Sequence, residues 1–287
     1  MHRYLILLLT TACVACGPAD QDASQGESAS APAEATAPEA PPGQDIRTEE
    51  VNYQVGGVNL TGYLAFDPNQ QGQRPGVLVV HEWWGHNDYA RMRARMLAEM
   101  GYTALALDMY GDGKRAEHPD DAQKFMSEVL ADMETAQARF EAARVLLEGH
   151  ETTDATKTAA IGYCFGGGVV LHMARIGTDL DGVASFHGSL GTETPAAPGV
   201  VQSKILVLHG ADDPFVPAEA LEAFKKEMAD AGADMKFIAY PDTVHSFTNP
   251  AATEIGEKFE LPLRYREAAD KASWAELDAF LTVLFAD

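Results

Sequence analysis

The segment Gly162-Tyr163-Cys164-Phe165-Gly166-Gly167 has the form G-x-S-x-G with cysteine in the serine's position. It follows an apolar run beginning at Lys157 and precedes a helix expected over 168–176. Such a turn holds a nucleophile on strained backbone, and the flanking glycines let strand and helix pass without a Cβ clash. The helix N-terminus then aims amides at the sulfur, which favours a thiolate and later an oxyanion. The competing reading is a buried structural cysteine in a glycine-rich turn. A thiol with a pKa of about 8.5 is only slightly ionised at neutral pH, so a catalytic one wants a base. Folds with this elbow carry the acid and then the base later in the chain. Asp212 and Asp213 follow the apolar run Lys204-Ile-Leu-Val-Leu, and His245 lies in a loop after Met235-Lys-Phe-Ile-Ala-Tyr. Either aspartate also suits a cap for a helix near Pro217, and a lone loop histidine is ordinarily solvated. Their order and placement together point to a Cys-Asp-His set.

These residues need a scaffold, and the hydropathy pattern supplies one. Short apolar runs alternate with longer amphipathic stretches, which predicts an α/β fold: a mostly parallel sheet with helices on both faces. Two runs flanking Gly56-Gly57 predict an N-terminal hairpin. Pro75-Gly-Val-Leu-Val-Val is a continuous apolar strand of the kind buried on both faces. Helices are expected over 87–100, over 120–149 as one or two, after the strands at 204 and 235, and over 273–285.

The chain of 287 residues carries 43 acids against 21 bases, a net charge of −22. That charge argues against nucleic acid or an anionic membrane as partner, since both require clustered Lys and Arg. Residues 1–16, MHRYLILLLTTACVAC, are laid out as a secretory signal too short to span a bilayer. Ala15 and Gly17 flank Cys16 as in a lipoprotein signal, with Cys16 the lipid-bearing residue, although Cys13 stands where a branched aliphatic is usual. Cleavage near Ala15 is the alternative. Residues 17–46 hold eight Ala, five Pro and six acids with no Lys or Arg, the composition of a disordered tether. The folded domain is therefore expected over 47–287, with Cys164 its one thiol. The expected location is the periplasm, free or membrane-anchored, with the membrane reached only through the lipid.

The stretches HEWWG, GYCFGG, GADDPFVP and HSFTNP resemble the dienelactone hydrolases, a branch of the α/β-hydrolase fold. The resemblance runs over most of residues 50–285. It implies Cys164 as nucleophile, His245 as base and Asp213 as the orienting acid. It also implies that Glu82 lies beside the thiol and takes part in switching it to thiolate. Family geometry implies oxyanion donors from the backbone amides of Phe165 and Trp83. Two positions depart from the pattern: Asp112 and Asn249 stand where members acting on an anionic lactone carry arginine. Losing two charge-assisted contacts, about 1.5–3 kcal/mol each, disfavours a carboxylate substrate, although Lys114 or Arg115 lies near enough in sequence to compensate. A neutral small-molecule ester, lactone or thioester is expected. Tyr265–Asp270 and Ser273-Trp274 resemble the region that docks the family's last helix.

Trp84, Tyr110, His187 and Phe247 are expected to wall the substrate pocket. Trp83 and Trp84 are equally open to packing under the first helix, and His187 to a structural hydrogen bond. His81 and His86 are five apart, about 140° round a helix, so HEWWGH is not read as a metal site. Arg91, Arg93 and Arg95 with Met92 and Met96 read as a solvated face beside a buried one. No cofactor or metal is expected, and the oligomeric state is not legible. The sequence thus points to an exported ester or lactone hydrolase. Acyl transfer through the same residues, or a non-catalytic ligand-binding module, are the rival readings.

Overall fold

The computed structural model describes residues 45–286. The signal segment, Cys16 and all but the last residues of the tether lie outside them. Eight strands form one sheet: β1 (Arg47–Val55), β2 (Val58–Phe66), β3 (Arg74–Val80), β4 (Thr103–Leu107), β5 (Thr153–Tyr163), β6 (Gly182–Phe186), β7 (Lys204–Gly210) and β8 (Met235–Tyr240). Their order is β1-β2-β4-β3-β5-β6-β7-β8. The β1–β2 hairpin and the β2–β4 pair are antiparallel, and the other pairs are parallel. Gly56 and Gly57 turn the hairpin at φ +59° and +81°, a region costly for any residue with a Cβ.

Among the described residues seven helices cover the sheet: α1 (Asp88–Glu99), α2 (Pro119–Leu130), α3 (Met133–Glu148), α4 (Phe165–Arg175), α5 (Ala218–Ala231), α6 (Ala252–Phe259) and α7 (Glu267–Leu284). Alternation along the inner strands sorts the core into two layers. Leu78, Val80, Leu105 and Leu107 face α2, α3, α4 and α5 through Val129, Phe140, Val169 and Phe224. Val77, Val79, Ala104 and Ala106 face α1 and α7 through Leu97, Leu277 and Leu281.

Several boundaries differ from the sequence reading. Residues 120–149 form two helices, broken at Ala131-Asp132, where Asp132 caps α3 by accepting from the Thr135 amide. Helix α4 begins at Phe165 rather than at residue 168, because a glycine run costs helix propensity but here buys close approach. Helix α7 begins six residues before the expected start, and α6 is the helix expected after the strand at 235. Among the described residues no helix is long and apolar enough to cross a membrane.

Candidate active site

The chemistry-bearing side chains converge at the carboxyl edge of the parallel strands, where open α/β sheets place their ligands. Glu82 lies two residues past β3, Cys164 one past β5, His187 one past β6, Asp213 three past β7 and His245 five past β8. Five separate strand ends are therefore needed to assemble one cluster.

Cys164 sits at φ 53°, ψ −115°, backbone that costs a non-glycine residue about 1–3 kcal/mol. Its neighbours make the turn possible. A Cβ on Gly162 would lie 2.1 Å from the Gly166 carbonyl oxygen, and one on Gly166 would lie 2.3 Å from that of Val80. No side chain can stand at either position while strand and helix keep this approach. The Cys164 amide donates to the Phe186 carbonyl at 3.0 Å and to His187 Nδ1 at 3.2 Å, which fixes the turn to β6. Phe165 opens α4, so its amide has no partner within the helix.

His245 Nδ1 donates to Asp213 Oδ2 at 2.7 Å, and both side chains are buried. The Cys164 sulfur lines the same cavity as the ring and acts on its charge. Asp213 Oδ1 accepts from the Phe215 amide at 2.9 Å, so both carboxylate oxygens are engaged. Asp212 is exposed, and α5 begins after Pro217 without a side-chain cap, so Asp213 faces His245 rather than closing a helix. Burial works against a charged ring, but the Cys164 sulfur and the Asp213 carboxylate outweigh it and hold His245 up to about 10.

Glu82 is fully buried and turned toward the His245 segment. Its Oε1 accepts from Ser246 Oγ at 2.8 Å and its Oε2 from Asn249 Nδ2 at 2.6 Å. Burial raises its pKa, against the lowering effects of those two donors and of His245 and Arg93. Asn249 thus binds the protein's own carboxylate, and its Oδ1 accepts from the Ala251 amide.

The same segment is anchored a second time through Thr248. His187 Nδ1 accepts from Cys164, so its Nε2 donates to Thr248 Oγ1 at 2.7 Å, and Thr248 in turn meets the Tyr89 hydroxyl at 2.6 Å. Burial keeps His187 neutral, its pKa well below the ordinary value. Arg93 donates through Nη2 to the Thr248 carbonyl at 2.7 Å and to Asp270 Oδ1 at 2.6 Å. Its guanidinium also lies over the rings of Tyr89, Tyr163 and Trp274. Arg93 is 1% exposed, which corrects its reading as part of a solvated face. The signal was in the spacing, since Ala90, Arg93, Ala94 and Leu97 make one buried helical stripe.

A cavity of about 200 Å³ opens at Cys164 and His245, walled by Trp83, Met126, Phe165, Phe215, Val216 and Leu263, with Gln123 and Ser189 at its edges. None of these is Lys or Arg. Lys114 instead lies over the Phe125 ring, and Asp112 and Arg115 are exposed. Of the four expected wall residues none lines this cavity. Trp84 packs on Phe259 in a separate apolar cluster, and the Tyr110 hydroxyl donates to the Trp83 carbonyl. His187 and Phe247 pack behind His245, edge to face with each other. Met126, Phe215 and Leu263 come from α2 and from loops, and no local pattern singles them out. Both ring nitrogens of His81 are engaged, Nδ1 donating to the Glu82 carbonyl and Nε2 accepting from the Met109 amide.

Residues 60–284 match the model of the dienelactone hydrolase family. The chain is similar to Protein usf of Aquifex pyrophilus, 30% identical over 210 residues, covering 71% of this chain and 89% of that protein. Among solved structures it is similar to P91, a dienelactone hydrolase-like promiscuous phosphotriesterase from metagenomic libraries. That pair is 34% identical with TM-score 0.78, covering 83% of this chain and 98% of the other. It is also similar to the structure called m3DLH, 36% identical with TM-score 0.79, covering 84% and 99%.

Proposed function

The chain belongs to the dienelactone hydrolase family, and from that premise we propose that it hydrolyses neutral carboxylic esters or lactones through Cys164, His245 and Asp213. One observation carries this reading. A histidine bonded to a buried carboxylate meets an elbow cysteine at one cavity whose walls bear no Lys or Arg. His245 takes the Cys164 proton, and the sulfur attacks the carbonyl carbon. The oxyanion is received by the amides of Phe165 and Trp83, strongest where no water competes. When the tetrahedral adduct collapses, the C–O bond breaks and the leaving oxygen takes the proton from His245. Water, deprotonated by His245, then attacks the thioester, the C–S bond breaks, and the acid leaves with Cys164 restored. Asp213 orients the ring throughout and stabilises its charged form.

Glu82 has a role other than direct contact with the sulfur. Its carboxylate holds Ser246 and Asn249, the neighbours of the base, and adds negative charge near the imidazolium. We further propose export, with residues 1–16 as the signal and Cys16 as a lipid attachment point. Hydrolysis of p-nitrophenyl acetate tests the reaction, with p-nitrophenyl hemisuccinate as the anionic comparison. Turnover of the neutral ester, reduced at least about 10³-fold in Cys164→Ala, is expected, with the hemisuccinate much poorer. Full activity of that variant would end the proposal. Paraoxon belongs in the same assay, since P91 is a phosphotriesterase and a neutral phosphotriester meets the same cavity.

A further inference from the structure

The cavity at Cys164 adjoins another across shared walls. Met126, Phe165 and Ser189 also border a second, larger space of about 510 Å³, which runs between α2, the start of α3, α4 and the loop after β6. Its walls are chiefly Met126, Leu130, Met133, Phe165 and Val169. Leu130 is 50% exposed there, a large apolar side chain left facing solvent at the groove. The one cation on its border is Arg175, whose guanidinium is bound to Glu227 and to the Leu190 carbonyl. Glu193 is exposed, and His172 is half-buried with its pKa lowered by burial. The inner cavity alone is smaller than the roughly 300–1,000 Å³ of ordinary ligand sites. Inner cavity and groove together fall within that range.

We propose that this groove seats an unbranched aliphatic chain of the substrate, so that the preferred substrates are medium-chain alkyl esters rather than acetates. The proposal rests on the ester-hydrolase reading and specifies its substrate class. Three features argue for this occupant: walls shared with the cavity at the reacting sulfur, thioether and aliphatic side chains, and no free Lys or Arg along them. A flexible chain suits methionine walls, which repack around varied shapes.

The experiment measures kcat/KM for p-nitrophenyl acetate, butyrate, hexanoate and octanoate, and for acetate esters of ethanol through octanol. A rise of about threefold to fourfold per added methylene, the ratio for burying one CH2, is expected in one of the two series. Values flat or falling beyond the four-carbon member in both series would overturn the proposal while leaving hydrolysis itself intact. Gly191→Trp fills the groove from a position where a Cβ meets nothing within 4 Å. It is expected to abolish the chain-length gain and keep acetate turnover, and Leu130→Lys should weaken the gain in the same sense. A readout independent of turnover is the 13C-methyl spectrum of Met126 and Met133 in Cys164→Ala. Undecan-2-one should shift both signals and acetone at most that of Met126, which also lines the inner cavity, whether or not esters are hydrolysed. A Met133 signal unmoved by undecan-2-one would overturn the groove proposal.

Discussion

Replacing Arg93 by methionine tests how the His245 segment is held. The guanidinium has a side-chain exposure of 2% and its partner Asp270 14%, so neither charge can be satisfied by water once the other is removed. Arg93→Met leaves three deficits: an unpaired Asp270 carboxylate, an unmet Thr248 carbonyl and no cation between Tyr89, Tyr163 and Trp274. Breaking a buried pair from one side costs about 3–5 kcal/mol, and the orphaned carbonyl adds about 1–3 kcal/mol. Methionine recovers part of that through packing, so a net loss of about 3–5 kcal/mol is expected, a large fraction of an ordinary domain's 5–15 kcal/mol. Asp270 keeps one donor, the Tyr265 hydroxyl at 3.2 Å, which limits the cost from its side. The assay is urea unfolding of wild type, Arg93→Met, Asp270→Asn and the double variant at pH 7. Because each single variant strands the other group, the double variant should lose at least about 1 kcal/mol less than the sum of the singles. Under conditions where Arg93→Met remains folded, kcat should also fall, because Thr248 anchors the segment that carries His245. A loss under 1 kcal/mol with additive singles would refute the argument.

Other predictions concern backbone, charge and pH. Gly166→Ala should not yield folded protein, since its Cβ would meet the Val80 carbonyl oxygen at 2.3 Å and neither main chain can retreat; a circular dichroism melt like wild type's would contradict this. Glu82→Gln removes a negative charge near the imidazolium, so the upper limb of the pH–rate profile should move to lower pH; an unmoved limb would show that the carboxylate does not act on His245. His245 is raised to about 10, so its stabilisation is fully present below about pH 6.5 and is lost as pH rises through 10. His86, lowered by burial to about 3, contributes the opposite sign: its stabilisation is present above about pH 6.5 and is lost as pH falls toward 3. Urea midpoints for His86→Gln at pH 7 and pH 4 should therefore differ less than those of wild type; an equal difference would refute that assignment.

The sequence revealed what backbone geometry forces. Gly162 and Gly166 are glycines because strand and helix cross within a carbonyl's reach, and that need shows as a spacing around Cys164. Asp213 and His245 were legible through their order along the chain, one strand end after another. The His245 segment was only half legible. Asn249 was noticed as a missing arginine, but its bond to Glu82 joins residues 167 apart, a separation that no local pattern encodes. Arg93 was misread because charge outweighed its place in the apolar stripe with Ala90, Ala94 and Leu97. The wall residues went unrecognised for a different reason. Met126, Phe215 and Leu263 look like any apolar residues until the packing of α2 and the later loops brings them over the sulfur. Trp84 and Phe247 look the part but satisfy other cores.

The most direct test of a thiol nucleophile is to catch the acyl group on it. Wild-type protein quenched in acid during turnover of p-nitrophenyl acetate, then digested and analysed by mass spectrometry, should carry an acetyl group on the Cys164 peptide. The adduct should be absent from Cys164→Ala, and ester turnover in that variant should be lost. Turnover in Cys164→Ala equal to wild type, with no acetyl group on the Cys164 peptide of wild type, would contradict the account.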